Sequence, residues 1–178
     1  LAPSPGLPPL DGLVTGTRCG DLDPSALTYL ERVRGLTPEE IEHLLNEESG
    51  LKGLSGLSHD LRVLLPRTGD HAGARLAIDT FCYRARKYLG AYVAALGGAD
   101  AVVFSGGIGE NLPAVRAGIC EGMEWCGLEI DPEANRRAVG SEAEIGAQRS
   151  RLRVFVIPTD EEAVIARAPA ACPLPRPR

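Results

Sequence analysis

Apolar and polar positions set a helical rhythm over the first hundred residues and a mixed rhythm after it. Asp23-Pro24 caps a predicted helix that runs through Arg34 and stops at Gly35. Thr37-Pro38-Glu39-Glu40 has the form of a capping box with proline at the first helical position. The helix it opens carries Ile41, Leu44 and Leu45 on one face and ends near Ser49-Gly50. Gly53 and Gly56 are expected to break the stretch 51–58. Ser58-His59-Asp60-Leu61-Arg62 then opens a short helical segment that stops before Pro66. Asp70 is expected to cap the longest element, 71–96, and Gly97-Gly98 to end it. Its apolar positions, from Ala74, Ala77 and Ile78 through Tyr92, Val93 and Leu96, keep helical spacing and read as core.

Two β-branched runs follow, Ala101-Val102-Val103-Phe104 and Arg153-Val154-Phe155-Val156-Ile157. Between them Asn111 is expected to cap a helix from Leu112-Pro113 to about Cys120, and 123–130 to be irregular. Asp131-Pro132 starts another short helix, and 142–151 reads as a polar loop. After Pro158, Thr159-Asp160-Glu161-Glu162 caps a last helix through Arg167. Strands that alternate with helices predict an α/β fold with parallel pairing. Ligands of such sheets sit at the carboxyl ends of the strands, so the turns at 107–111 and 160–162 should be neighbours. Two strands make an incomplete sheet, and no other run has strand character. The organisation expected is an irregular lead-in over 1–9, one domain over 10–168, and a disordered proline-rich tail over 169–178.

Composition narrows the classes. Hydrophobic residues make up 44% of 178, with aromatics only 4%, so aliphatic side chains must fill the core. A net charge of −5 argues against non-specific nucleic-acid binding. No apolar run approaches the ~20 residues of a membrane span, and the first residues lack the pattern of a signal peptide. Five cysteines without C-x-x-C spacing form neither a disulfide framework nor a zinc site, and suit a reducing cytoplasm. The three histidines have no ligand spacing and belong on the surface or in loops.

Two stretches carry candidate chemistry. After the first strand, Ser105-Gly106-Gly107-Ile108-Gly109-Glu110-Asn111 presents bare backbone at the start of a helix. Converging N–H groups there suit phosphate or ribose oxygens, although the spacing is neither a Rossmann fingerprint nor a P-loop. A glycine-rich connection without a ligand fits the same residues. Earlier, Gly16-Thr17-Arg18-Cys19-Gly20-Asp21-Leu22-Asp23 sets an arginine between glycines and before two acids. Arg18 is open to two readings, a guanidinium aimed at an anion or a loop salt bridge to Asp21 or Asp23. Asp60 is at least a cap or first-turn charge.

Four blocks together resemble the acetate kinase family of the acetate and sugar kinase/Hsc70/actin superfamily. They are Gly16-Thr17-Arg18-Cys19-Gly20-Asp21-Leu22-Asp23-Pro24, the run from Gly50-Leu51 to Asp60-Leu61-Arg62, Phe104-Ser105-Gly106-Gly107-Ile108-Gly109-Glu110-Asn111, and Val156-Ile157-Pro158-Thr159-Asp160-Glu161-Glu162. Their order and spacing match the C-terminal part of that family over nearly the whole chain. The resemblance implies part of a ribonuclease H-like, actin-like ATPase domain with a helical insertion and an incomplete sheet. It implies reversible transfer of the γ-phosphoryl group of ATP to acetate, giving acetyl phosphate and ADP, with Mg2+. By motif position, Arg18 is the transition-state-stabilising arginine, Asp60, Leu61 and Arg62 line an adenosine pocket, Gly107, Ile108, Gly109, Glu110 and Asn111 cradle the nucleotide, and Glu161 is the magnesium-linked carboxylate. It also implies a cytoplasmic homodimer. The family's N-terminal phosphate loop, catalytic aspartate, active-site histidine and acetate pocket have no counterpart here. The chain alone is therefore expected to be inactive. A propionate or butyrate kinase segment, or a non-catalytic nucleotide-binding fragment, remains an alternative.

Overall fold

A computed structural model describes residues 10–160, and the expected lead-in at 1–9, the last helix, Glu161 and the proline-rich tail lie outside them. The described residues divide into two compact units, 10–98 with Gly118–Glu121, and Ala99–Ala117 with 122–160.

The first unit is helical. Helix α1 (Ser25–Arg34) starts where the Asp23 carboxylate accepts the Ser25 N–H at 2.8 Å, and ends at Gly35 in the left-handed region. Helix α2 (Pro38–Glu47) has the expected reciprocal capping box between Thr37 and Glu40. Helix α3 (Gly50–Ser55) runs through Gly53, contrary to the expected break. Gly53 serves close approach instead, since a Cβ there would stand 2.6 Å from the Glu48 carbonyl oxygen. Gly56, at φ +61°, is the actual stop. Asp60 caps α4 (Leu61–Leu64), and a 3-10 turn over Leu65–Arg67 takes in Pro66.

Helix α5 (Ala72–Leu96) is one residue shorter than expected and differently capped. His71 Nδ1 accepts the Ala74 N–H at 3.1 Å, whereas Asp70 pairs with Arg67. Only Ala74, Ala77, Ile78 and Cys82 of its apolar stripe are buried, and Leu96 is 61% exposed, so the C-terminal half is not core within the described residues. The first unit's core joins those residues to Val14, Ile41, Leu45, Leu51, Leu61 and Leu64.

The second unit holds the sheet, ordered β1-β3-β2. Strand β1 (Ala101–Phe104) pairs in parallel with β3 (Arg153–Val156), Val102 opposite Val154 and Phe104 opposite Val156, as the alternation with helices predicted. Strand β2 (Ala143–Glu144) lies antiparallel on the other side of β3, inside the stretch expected to be loop. Val154 and Val156 are fully buried, whereas Val103 on edge strand β1 is 52% exposed. The helix expected to begin at Asn111 is replaced by two. Helix α6 (Gly106–Asn111) consists of the glycine turn itself, and α7 (Pro113–Cys120) follows after Leu112. Ser105 is extended and Gly106 has φ +71°, a reversal that favours glycine and winds the chain straight into helix. A 3-10 turn (Glu124–Cys126) and helix α8 (Pro132–Arg137), capped by Asp131, complete the unit.

Candidate functional site

In the first unit the loop 10–22 is tied down by its main chain. The carbonyls of Thr15, Gly16 and Thr17 accept the N–H groups of Leu51, Lys52 and Ser49 at 2.9–3.0 Å. Those donors lie at and just before the start of α3, where a helix has unsatisfied N–H groups. Cys19 N–H reaches the Leu45 carbonyl at 3.0 Å. Gly50, at φ +63°, permits the contact, because a Cβ there would collide with Thr15 O and stand 2.9 Å from Arg18 O. Nothing in the local pattern around Gly50 signalled that role.

Arg18 sits exposed on this pinned loop, with no hydrogen bond or ion pair to its guanidinium among the described residues. Both acids that could have neutralised it are committed elsewhere. Asp23 caps α1. The Asp21 carboxylate accepts the Gly12 N–H at 2.8 Å, the Tyr88 hydroxyl at 2.8 and 3.0 Å, and Arg84 Nη2 at 2.8 Å. Burial pushes the Asp21 carboxyl upward, but hydrogen bonds from Tyr88, Asp11 and Gly12 and the Arg84 charge outweigh it and hold the carboxyl below its ordinary range. Of the two readings left open by the sequence, the local salt bridge is not formed.

The Asp60 segment lies beside this loop, since a Cβ on Gly16 would be 3.3 Å from His59 Cβ. Asp60 accepts the Arg62 N–H at 2.8 Å and grips the Arg62 guanidinium through Nε at 3.0 Å and Nη2 at 2.6 Å. The Arg62 guanidinium and N–H hold the Asp60 carboxyl down at about 2. Arg62 keeps 79% of its side chain exposed, whereas Leu61 is 3% exposed and anchors the segment in the core. Ser55, 4% exposed, folds the approach by accepting the N–H groups of Leu57 and Ser58 at 3.1 Å, a second residue that the sequence pattern did not mark.

In the second unit the glycine turn is open to solvent on one side. A Cβ on Gly107 would meet nothing within 4 Å, whereas one on Gly109 would stand 3.1 Å from the Phe104 carbonyl carbon. Gly107 thus leaves room for a ligand, and Gly109 serves packing against the end of β1. Ile108 is 40% exposed, and the Asn111 side chain donates back to the Gly107 carbonyl at 3.0 Å. Glu110 accepts both the Thr159 N–H at 2.9 Å and its hydroxyl at 3.1 Å. The Thr159 N–H lowers the Glu110 carboxyl below its ordinary range. The chain leaving β3 is thereby brought to the glycine turn at Thr159, and Glu161 and Glu162 of the expected neighbouring turn lie beyond the described residues.

Arg116 is the residue of this unit that sequence reasoning passed over. It is fully buried, and its five N–H directions go to Asn135 Oδ1, Asn135 O, Ala138 O and Gly109 O at 2.7 Å and Glu110 O at 3.2 Å. It therefore braces the carbonyl end of the glycine turn. Among the described residues no group of three His, Cys, Asp or Glu side chains converges as a metal cage, and no helix is long and apolar enough to cross a membrane.

A family model described as the Acetokinase family matches residues 1–167. An acetate kinase of Solibacter usitatus is 53% identical over 176 residues, covering 98% of this chain and 42% of that protein. The crystal structure of Porphyromonas gingivalis acetate kinase superposes with a TM-score of 0.85 at 43% identity, over 90% of this chain and 40% of that one. A propionate kinase from Francisella tularensis superposes at 0.81 with 38% identity, over 89% of this chain and 40% of that one. The chain spans about two fifths of the length of these relatives.

Proposed function

The chain belongs to the acetokinase family, and we propose that it is the nucleotide-side part of an enzyme that reversibly phosphorylates acetate with ATP. Its fold is that of acetate kinases, with an incomplete three-stranded sheet over this span. The observation that carries the functional reading is Arg18, a guanidinium with no partner among the described residues, on a loop whose main chain is fixed.

Phosphoryl transfer asks the protein for position and charge rather than covalent chemistry. Arg18 offers a planar fork of donors for the equatorial oxygens of the transferring group, where negative charge gathers in the transition state. The open face at Gly107 and the N–H groups of the turn suit the nucleotide. In the first unit by itself, exposed Arg62, steadied by Asp60, is proposed by motif position as an adenosine contact. The described residues alone do not form a cage for Mg2+. That ion keeps most of its water and is usually held by phosphates and one or two carboxylates. Glu161 is proposed as the carboxylate that reaches it through water. A cytoplasmic homodimer of the complete enzyme is also proposed, as the resemblance implies.

The test is Arg18→Ala in the complete enzyme. It should lower kcat by about 10³ or more with little change in nucleotide KM, and Lys should restore little because it lacks the fork. A kcat within tenfold of the parent would refute the role. Gly107→Ala supplies the binding test. Its methyl enters space that the described residues leave empty, so weakened ADP binding in calorimetry with unchanged stability is expected. Undiminished affinity would make the turn a connector only. The propionate kinase likeness supports a second reading, a longer acid as acceptor, which competition between acetate and propionate in the complete enzyme decides.

A further inference from the structure

Among the described residues Arg18 has no side-chain partner, so its aim depends on how its loop is anchored. One side is fixed by main-chain bonds to α3. The other is fixed three residues on, at Asp21. There two residues one turn apart on α5 act together. Tyr88 donates its hydroxyl to the carboxylate at 2.8 Å, and Arg84 Nη2 reaches the carboxylate at 2.8 Å and the Asp21 carbonyl at 3.2 Å. The carboxylate also closes the loop on itself through the Gly12 N–H at 2.8 Å, while the Asp21 N–H reaches the Gly12 carbonyl at 3.0 Å. Gly20, at φ +72°, lies between, and a Cβ there would stand 2.8 Å from Gly12 O. The span from Arg18 to the clamp is therefore two residues with no room to flex.

We propose that Asp21, Arg84 and Tyr88 form a positioning clamp that sets the guanidinium of Arg18 from the long helix α5, an inference that rests on the catalytic reading of Arg18. The clamp performs two tasks at once. It orients the loop, and it occupies one of the two carboxylates close enough in sequence to trap Arg18 in a ground-state ion pair, the other, Asp23, being held by the Ser25 N–H. The clamp residues themselves need touch neither nucleotide nor acid. Loosening them should cost kcat rather than nucleotide KM, because a misplaced charge is missed chiefly in the transition state.

The test is a double-mutant cycle in the complete enzyme, with Tyr88→Phe and Arg84→Lys each made alone and with Arg18→Ala. Tyr88→Phe removes one hydroxyl without changing the ring, and Arg84→Lys keeps the charge but loses the planar guanidinium that fixes the direction of approach. Each is expected to lower kcat about tenfold or more with nucleotide KM within about threefold. In the Arg18→Ala background the same changes should alter kcat less than twofold, while their effect on melting temperature is the same in both backgrounds. Equal kcat factors in both backgrounds would make the clamp merely structural and overturn the proposal. So would kcat within twofold for both single variants beside a strongly impaired Arg18→Ala. A harmless Arg18→Ala would instead overturn the catalytic reading on which the clamp depends.

Discussion

Replacing Arg116 should destabilise the second unit before it does anything subtler. The side chain is 0% exposed, and its guanidinium satisfies acceptors on α6, on Asn135 and at Ala138. A hydrogen bond from a charged donor contributes roughly 1.5–3 kcal/mol, so five of them nominally exceed about 7 kcal/mol. That sum overshoots, because carbonyls relax, and the Glu110 carbonyl also accepts the Gly140 N–H at 3.3 Å. What Arg116→Met leaves behind is a set of neutral buried acceptors without donors, at about 1–3 kcal/mol for each that finds no new partner, and this is the better guide. Arg116→Met, close in volume and without donors, is thus expected to lose at least about 3 kcal/mol, a large share of the ~5–15 kcal/mol of a typical domain. Arg116→Lys should fare little better, since three donors cannot meet five acceptors and an ammonium resists desolvation. Arg137→Met, exposed at the end of α8, is the control and should stay within about 0.5 kcal/mol. Urea unfolding followed by far-ultraviolet circular dichroism measures all three. A loss below about 1 kcal/mol for Arg116→Met, with an unchanged denaturant slope, would refute the brace.

The loop contact at α3 predicts a contrast between two left-handed glycines. Gly35→Ala should cost only the ~1–2 kcal/mol of its conformation, whereas Gly50→Ala should cost at least about 3 kcal/mol because Thr15 and Arg18 main-chain atoms must move; equal thermal shifts would refute the close approach. Asp60 predicts a pH dependence. Its carboxyl lies at about 2 in the folded protein against an ordinary 3.8, so its contribution is present above pH 4 and is lost as pH falls through 2. Thermal melts of Asp60→Asn should therefore vary less than the parent between pH 4 and pH 2, and parallel curves would contradict the ion pair with Arg62. The 178-residue chain with ATP, Mg2+ and acetate should yield no acetyl phosphate in a hydroxamate trap, and magnesium-dependent product that co-purifies with it would show this portion to be sufficient.

Elements with local signals were legible in the sequence. Thr37 with Glu40, Asp131 with Pro132, and Gly97 carry their own caps and stops, and each helix end lies where the residues placed it. What was not legible depends on distant partners. Strand β2 is two residues long and exists through its pairing with β3, so no run of β-branched residues announces it. Gly53 resembles a helix breaker until the Glu48 carbonyl explains its missing side chain. Helix α5 shows the limit of periodicity. A stripe identifies a face and says nothing of what covers it, and here, among the described residues, full burial stops after Cys82 while Leu96 remains exposed. The motif positions Arg18 and Gly107 stood out by residue type. Their supports, Gly50, Ser55 and Arg116, are ordinary letters whose work appears only when the chain is folded.

The same distinction bears on why Arg18 is available at all. An arginine followed within five residues by two aspartates is placed, by sequence alone, for neutralisation. A guanidinium held by a neighbouring carboxylate would have to give up that pair before meeting an anion, and the lost attraction would offset what it offered to a transition state. The fold prevents this with partners rather than with distance. Asp23 is turned onto the Ser25 N–H, and Asp21 is filled by an N–H, a hydroxyl and a second guanidinium from α5. Arg84 comes from 63 positions away to take the place that Arg18 would otherwise occupy. The acids around Arg18 are therefore not a counterion shell but part of the scaffold. The loop salt bridge that looked plausible in the sequence fails because its carboxylates have already been satisfied.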